Sequence, residues 1–275
     1  MHDIQGGIAV AITALREGDQ NSYVRTMQKY LHELKYDPGE IDGIFGRQTY
    51  WAVKWFQSMN NLRADGICGK KTRNRIISDT ATEGVPNNRG VWSYGMEPLF
   101  YYMGDSRWSQ YPYDAKNTSK KETIGQSGCG PTTMASILTN LLGRAVLPPV
   151  LCDWSNTHGY RDPNGVDGTS STFFRKCAEK YGLRSETMSI TSKNPLKERH
   201  FVKIQAALEA GSLVACSVNG NSPYTNGGHY IMIWKIEDGK VYIKDPVKKN
   251  NRLESFPVHK WVDSRWVKRF IQIGI

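Results

Sequence analysis

Cys129 lies in a segment whose composition is suited to nucleophilic catalysis. The segment reads Gln126-Ser127-Gly128-Cys129-Gly130-Pro131, and apolar residues at helical spacing follow it. A helix N-terminus lowers the pKa of a thiol and favours the nucleophilic thiolate. The flanking glycines leave room for a substrate, and the Gln126 amide could donate to a developing oxyanion. The segment predicts a reactive cysteine; a small buried cysteine in a helix cap is the alternative interpretation.

His229 and Asp245 are candidates for a general base and the group that orients it. His229 opens a strand-like run, and Asp245 closes the next run, just before Pro246. Glu237-Asp238-Gly239 joins the two runs and is typical of a hairpin. Because the two arms have matched lengths, we expect both side chains to meet, with Asp245 fixing the imidazole tautomer. A structural histidine and an Asp-Pro turn are the alternatives. With Cys129, the set predicts acyl transfer without a cofactor.

The elements that must position these residues form an α+β pattern. Apolar spacing predicts helices over 130–142 and 170–181, and alternation predicts strands over 213–218, 229–236 and 240–244. Helices followed by an antiparallel sheet indicate an α+β domain.

The N-terminal part contains an internal repeat. Asp42-Gly43 with Thr49 and Asp65-Gly66 with Thr72 both read D-G-x-x-G-x-x-T, at an offset of 65 − 42 = 23 residues. The glycines suit tight turns, and each threonine is expected to be a helix N-cap. Helices are predicted over 22–35, 48–59 and 71–77, which makes a small three-helix all-α domain.

Composition and charge exclude several classes of protein. The 275 residues carry a formal charge of +10, which favours polyanionic partners such as nucleic acid, anionic lipid or an anionic cell wall. The Lys and Arg residues are scattered without a long basic block, which argues against a nucleic-acid-binding tail. The five cysteines have no tight spacing and no metal-ligand motif accompanies them, so neither a disulfide framework nor a zinc site is expected. No stretch approaches the ~20 apolar residues of a membrane span.

The catalytic segments resemble a known family. Gln126–Pro131, Gly228-His229-Tyr230 and Asp245-Pro246 resemble the papain-like cysteine peptidases related to bacteriocin leader peptidases. Tyr101-Tyr102 and Asp105–Trp108 resemble the opening of that domain. The resemblance implies that Cys129 is the nucleophile, His229 the base, Asp245 the orienting group and Gln126 the oxyanion donor. Transport-linked members sit beside membrane domains, which this sequence lacks, so processing of leader peptides is not expected.

Residues 15–77 resemble the peptidoglycan-binding domain of wall hydrolases. The matching positions are Leu15, Gly18, Val24, Gln28, Leu31, Tyr36, Gly39, Asp42-Gly43, Phe45-Gly46, Thr49, Ala52-Val53, Phe56-Gln57, Leu62, Asp65-Gly66, Gly69 and Thr72. Both resemblances together imply a hydrolase similar to phage endolysins. The expected organisation is a wall-binding domain at 1–78, a linker at 79–97 and a papain-like peptidase domain at 98–275. Peptidoglycan is the expected partner, with anionic wall polymers as a second; nucleic acid and membrane insertion are not expected.

Two tryptophans and several further residues complete the predictions. Helical geometry turns Trp51 and Trp55 away from the apolar face of their helix. One interpretation is that they stack on sugar or peptide of the wall. The other is that they dock on the linker or on the second domain. Three cysteines are expected to be buried, namely Cys152, Cys177 and Cys216. Two histidines, His158 and His200, are expected to lie at the surface.

The residues leave the cleaved bond open. An endopeptidase acting on the stem peptide or cross-bridge is favoured. An N-acetylmuramoyl-L-alanine amidase, and a non-catalytic wall binder with a degenerate peptidase fold, are the alternatives. The apolar run from Ile8 to Leu15 lacks the positive residues of a signal peptide. Synthesis in a host cytoplasm and release to the wall through membrane holes are therefore expected.

Overall fold

The computed structural model describes seven stretches of the chain. They are residues 14–85, 91–114, 122–161, 168–219, 222–225, 227–247 and 254–274. Most of the apolar run that begins at Ile8, and Pro86–Gly90 of the predicted linker, lie outside these residues. The chain divides into two compact units, Met1–Gly90 with Gly143–Val146, and Val91–Leu142 with Leu147–Ile275. The domain limits at 78 and 97 stay predictions.

The first unit contains the three predicted helices in its described residues. They are α1 (Ser22–Glu33), α2 (Arg47–Met59) and α3 (Lys70–Ile76). Each end lies within two residues of the prediction, because one face of each helix supplies the apolar residues of a common core. The fully buried side chains of this core include Val24, Leu31, Tyr36, Phe45 and Phe56.

A buried glutamine organises the first copy of the repeat. The Gln28 amide nitrogen donates to the Asp42 carboxylate (3.1 Å), the Ile44 carbonyl (3.1 Å) and the Thr49 hydroxyl (3.2 Å). Its amide oxygen accepts from the backbone N–H of Gly43 at 2.8 Å. Gly43 has φ of 85°, which glycine adopts without strain. One side chain therefore connects α1, the turn and the start of α2.

Gln57 makes the same set of contacts in the second copy. Its amide nitrogen donates to Asp65 (3.0 Å), the Ile67 carbonyl (2.9 Å) and Thr72 (3.1 Å), and its oxygen accepts from Gly66 N–H (2.8 Å). The repeat in the sequence is thus a repeat of hydrogen-bonding geometry.

The predicted N-cap role of the two threonines is wrong. The N-caps of α2 and α3 are Gly46 and Gly69, and Thr49 and Thr72 are the third residue of each helix. Both threonines are buried. Their hydroxyls accept from the glutamines, so they bind a side chain of another helix instead of capping their own.

Replacing Gln57 with leucine should lower the free energy of unfolding of the first unit by about 1–3 kcal/mol. The reason is that Asp65, Ile67 and Gly66 would lose their hydrogen bonds to the buried Gln57 amide. Hydrogen exchange of the full chain in increasing urea would measure the change in α1–α3. Gln20→Leu is the control, because Gln20 is exposed. Equal protection in both variants would contradict the structural role of Gln57.

The second unit is an α+β domain. Its described helices are α4 (Ile124–Ser127), α5 (Cys129–Leu142), α6 (Pro148–Thr157), α7 (Ser171–Lys180), α8 (Glu198–Glu209) and α9 (Val258–Asp263). Its described strands are β1 (Arg184–Ser189), β2 (Leu213–Val218), β3 (His229–Glu237), β4 (Lys240–Lys244), β5 (Glu254–Pro257) and β6 (Val267–Gly274). The predicted fold class, an all-α unit followed by an α+β unit with an antiparallel sheet, is confirmed.

The strands form an antiparallel sheet in the order β1-β6-β2-β3-β4-β5. The loop between β3 and β4 is Asp238-Gly239, and both residues have positive φ, 50° and 68°. That backbone is the one a two-residue hairpin requires. None of the helices in the described ranges is long and apolar enough to cross a membrane.

Helix α5 forms the centre of this unit. Nearly all of its side chains are buried, including Met134, Ile137 and Leu138. It packs on β2 and β3, and the Thr133 hydroxyl donates to the Tyr230 carbonyl at 3.1 Å. This bond fixes the start of α5 against the start of β3, where Cys129 and His229 lie.

Candidate active site

Cys129 is the first residue of α5 and is 8% exposed. The two flanking glycines do not open a path to it, contrary to the expectation from the sequence. A Cβ on Gly130 would lie 2.7 Å from Cβ of Thr169, and one on Gly128 would lie 2.6 Å from the Ile124 carbonyl oxygen. Both glycines are therefore required by close internal packing around the thiol.

The expected meeting of His229 and Asp245 is observed. His229 Nε2 lies 2.8 Å from Asp245 Oδ1, and the side chains are 4% and 1% exposed. The same carboxylate oxygen accepts from the Val247 N–H at 3.0 Å. The hairpin explains the contact, since β3 begins at His229 and β4 ends at Lys244.

The segment that was expected to open the domain lies beside this carboxylate. The Met103 N–H donates to the carbonyl of Pro246 at 2.9 Å, and the Tyr101 N–H donates to the Ser136 hydroxyl at 3.0 Å. The segment thus connects α5 with the turn after Asp245.

The His229 imidazole also interacts with the Cys129 thiol. Because Asp245 binds Nε2, we infer that Nδ1 faces the sulfur. The backbone of Tyr230 and Gly130 also lowers the pKa of this thiol. These surroundings favour a negative charge on the sulfur.

The electrostatics of the pair favour a thiolate and an imidazolium. Burial raises the pKa of Cys129, but the hydrogen bond and charge of His229 outweigh it, so the pKa lies below its ordinary value. Burial lowers the pKa of His229, but Asp245 and Cys129 outweigh it and raise the pKa above its ordinary value. Both shifts describe one proton held on the imidazole instead of the thiol.

Alkylation of Cys129 by iodoacetamide should stay fast below pH 9.0, the ordinary thiol pKa. The thiolate is lost only when the pH falls through the lowered pKa of Cys129. In His229→Gln the lowering by the imidazole is removed and burial remains, so the rate at pH 7 should fall by at least about 10-fold. Mass spectrometry of the modified peptide gives the rate. An unchanged rate at pH 7 in His229→Gln would show that the imidazole does not activate the thiol.

Gln126 is placed differently from the other three predicted residues. Its side chain is exposed, and its amide oxygen accepts from the Thr123 N–H at 3.0 Å in a capping box at the start of α4. The structure brings Cys129, His229 and Asp245 together. The hydrogen bond to Thr123 uses the amide oxygen of Gln126, so Nε2 of this side chain remains available as a hydrogen-bond donor.

Of the two interpretations of Trp51 and Trp55, the structure favours docking within the protein over stacking on the wall. The two side chains are 4% and 8% exposed. The Trp55 indole N–H donates to the Gly84 carbonyl at 3.3 Å, and the Lys54 ammonium lies 4.8 Å from the centre of the Trp51 ring. The chain after α3 covers the side of α2 that a three-helix arrangement would leave open. Trp55 thus docks on the segment predicted as linker, and neither indole offers an open face for substrate.

The remaining cysteines and histidines follow the predictions with one exception. Cys152, Cys177 and Cys216 are fully buried, and burial raises the pKa of each thiol. His158 is exposed as expected. His200 is buried, contrary to expectation, because its Nδ1 accepts from the Lys197 N–H at the start of α8. Among the described residues, no cluster of three His, Cys, Asp or Glu could hold a metal ion.

A cavity of about 430 Å³ lies beside His229, and sequence reasoning missed it. Arg161 and Arg269 are among the residues that line it. Arg161 stands in an irregular stretch, and Arg269 lies in β6, a strand that the sequence did not predict. No local pattern indicates that these two residues line one cavity, because they are 269 − 161 = 108 residues apart in the sequence.

Comparison with known proteins gives two family matches. Residues 109–269 match the Peptidase_C39 like family, and residues 20–76 match the peptidoglycan binding domain family. The first match contains Cys129, His229 and Asp245, and the second contains both glutamine-centred repeats.

Individual relatives match shorter parts of the chain. A spore cortex-lytic enzyme of Bacillus cereus is 32% identical over 82 residues, which are 28% of this chain and 32% of that protein. The N-acetylmuramoyl-L-alanine amidase CwlM of Mycobacterium tuberculosis is 38% identical over 66 residues, 23% of this chain and 16% of that protein. The chain thus spans a third or less of these curated relatives. A solved C39-like peptidase from Bacillus anthracis has a TM-score of 0.43 and 15% identity, covering 65% of this chain and 95% of that one.

Proposed function

The chain belongs to the Peptidase_C39 like family, and from that premise we propose that it is a peptidoglycan hydrolase that cleaves an amide bond by cysteine catalysis. The observation that carries the proposal is the buried contact series from the Cys129 sulfur through His229 to Asp245. The family match to a peptidoglycan binding domain over residues 20–76 supports the wall as the place of action.

The proposed reaction proceeds in two steps. The Cys129 thiolate attacks the amide carbonyl carbon, and the C–N bond then breaks as the His229 imidazolium gives its proton to the departing nitrogen. A thioester between Cys129 and the acyl part remains. His229, now neutral, takes a proton from water, and the resulting hydroxide attacks the thioester. The acid is released and the thiolate–imidazolium pair is restored, so one water is consumed for each amide bond.

The oxyanion of each tetrahedral intermediate needs hydrogen-bond donors. We assign this role to the backbone N–H of Cys129 and to Nε2 of Gln126. The capping box supports the second assignment, because it holds the amide oxygen of Gln126 on Thr123 and leaves the nitrogen as a donor. Donors fixed before the reaction stabilise the developing charge without reorganisation.

The proposed substrate is bacterial peptidoglycan. The names of the two relatives, a spore cortex-lytic enzyme and an amidase, support a wall substrate. The charge of +10 also suits anionic wall polymers as a second binding partner. We do not propose binding to nucleic acid, since no recognition motif accompanies the charge.

Among amide bonds of the wall, we propose those within the stem peptide or its cross-bridge. Hydrolysis between muramic acid and L-alanine is the second candidate, and the amidase relative favours it. That relative matches 66 residues, whereas the C39 match covers 269 − 109 + 1 = 161 residues. Because the match to the amidase is short, an endopeptidase remains the proposal that we favour.

Digestion of purified peptidoglycan by the full chain tests the function. Products would be identified by mass spectrometry after treatment with the native enzyme and with the enzyme alkylated at Cys129. We expect new amino termini within the stem peptide or cross-bridge from the native enzyme alone. Free L-alanine termini with intact stem peptides would establish the amidase. No products from walls of several chemotypes would refute hydrolysis and favour a non-catalytic wall binder.

A further inference from the structure

The cavity beside His229, called here the basic cavity, is lined by three positively charged residues. Arg161, Lys268 and Arg269 line it together with Ser170, Ser171 and His229. None of the described residues that line it is acidic. Because it borders the proposed base, any group bound in it would lie near the bond being cleaved.

Arg161 is the buried part of this charge. Its side chain is 1% exposed and forms an ion pair with Glu122, while its Nε donates to the Tyr113 carbonyl at 3.3 Å. Its Nη1 has no hydrogen-bond partner among the described residues. An unsatisfied buried N–H of a guanidinium is costly. A bound ligand that brings an acceptor to this nitrogen would satisfy it.

Arg269 supplies the second guanidinium from the sheet. Residue pairing places Arg269 of β6 beside Ser217 of β2, and Ser217 beside Tyr230 of β3, next to His229. Its Nη1 donates to the Ser171 hydroxyl, and its Nε has no partner among the described residues. Two arginines thus reach the same cavity from different elements, each with an unused donor.

Helix α7 adds a third source of positive potential. Ser170 is its N-cap, with the side chain accepting from the Thr172 N–H, and Ser170 and Ser171 both line the cavity. The N-terminal end of this ten-residue helix carries a partial positive charge that favours an anion.

We propose that the basic cavity is a carboxylate subsite that holds a free carboxylate of the wall peptide next to the scissile amide. This inference rests on the proposed function, because it names a substrate feature for the same site. A carboxylate is the anion of choice, since its two oxygens match the planar guanidinium donors. A neutral carboxamide would lose the charge and would present N–H groups to the arginines. The enzyme therefore selects wall peptides with a free carboxylate over those in which that group is amidated.

Two matched synthetic wall peptides test the proposal, one with a free carboxylate and one with a carboxamide at the same position. The full chain should cleave the carboxylate peptide with a kcat/KM about 10- to 100-fold higher. In Arg269→Gln this ratio should fall towards one, and in Arg269→Lys it should be partly kept. Lys240→Gln is the matched control, since Lys240 is exposed at the opposite end of the β3–β4 hairpin from His229. The control should keep the wild-type ratio.

A ratio near one in the wild type, or an unchanged ratio in Arg269→Gln, would overturn the subsite. Lys268→Gln, at an exposed position, gives the same comparison if Arg269→Gln does not fold. Calorimetric titration of Cys129→Ala with the two peptides tests the subsite without turnover. Tighter binding of the carboxylate peptide supports the subsite even if no peptide is cleaved, and equal binding overturns it. Loss of cleavage on every substrate, by contrast, would refute the proposed function.

Discussion

Replacing Cys129 with alanine should reduce hydrolysis of peptidoglycan by on the order of 10⁴- to 10⁶-fold. The thioester cannot form without the sulfur, and the donors that remain can act only on direct attack by water. The substitution removes one atom at the start of a helix whose side chains are buried by their own packing, so we expect the fold to persist. The measurement is the initial rate of dye release from labelled wall, with retention on the wall followed in parallel.

Cys216→Ala is the control for this substitution. Cys216 lies in β2, is fully buried like the other structural cysteines, and its thiol pKa is raised by burial. This variant should keep the hydrolysis rate. If Cys129→Ala hydrolyses the wall as fast as Cys216→Ala, the sulfur of Cys129 is not the nucleophile. If Cys129→Ala also loses retention on the wall, the rate must be reinterpreted as a binding effect.

Replacing Asp245 with asparagine should lower kcat by about 10⁴-fold, the cost seen when an orienting carboxylate becomes an amide. The 2.8 Å contact with His229 Nε2 requires an acceptor and a negative charge. An amide supplies neither the charge nor a fixed tautomer, so the imidazolium is destabilised and the thiol keeps its proton. The fold should survive, because Asn has nearly the same shape and its oxygen can still accept from the Val247 N–H.

The effect of Asp245→Asn can be separated from a structural defect by its pH dependence. In this variant the acidic limb of the pH profile of kcat/KM should shift to higher pH, because the thiolate loses the imidazolium that stabilises it. Asp238→Asn, in the exposed turn of the same hairpin, should leave the profile unchanged. A profile in Asp245→Asn that matches the wild type in shape and height would exclude an orienting role for this carboxylate.

The sequence predicts the hairpin that carries His229 and Asp245 well because local rules determine it. The strands Leu213–Val218 and Lys240–Lys244 have the predicted bounds, since both are bordered by turn residues. Asp238-Gly239 sets the pairing of β3 with β4, and that pairing brings His229 to Asp245. Two positions sixteen residues apart can be placed together from turn chemistry alone.

Other parts of the fold depend on distant partners and leave no local pattern. Strand β1 (Arg184–Ser189) is largely exposed and polar, so alternation does not identify it. The burial of Trp55 depends on the Gly84 region, which a helical projection of α2 cannot include. The basic cavity depends on pairing between β6 and β2. In each case the feature depends on contacts between residues far apart in the sequence, which local sequence patterns do not encode.

The position of β6 in the sheet has a consequence for synthesis. This strand leaves the ribosome after β1–β5, yet it lies between β1 and β2 and is the partner through which β1 joins the sheet. Until residues 267–274 emerge, the edge of β2 is open and β1 cannot attach, a state prone to intermolecular pairing. We expect protection of this edge during translation to reduce aggregation, and the basic cavity forms only when β6 enters. Completion of the basic cavity is thus timed to the emergence of β6, after the other five described strands.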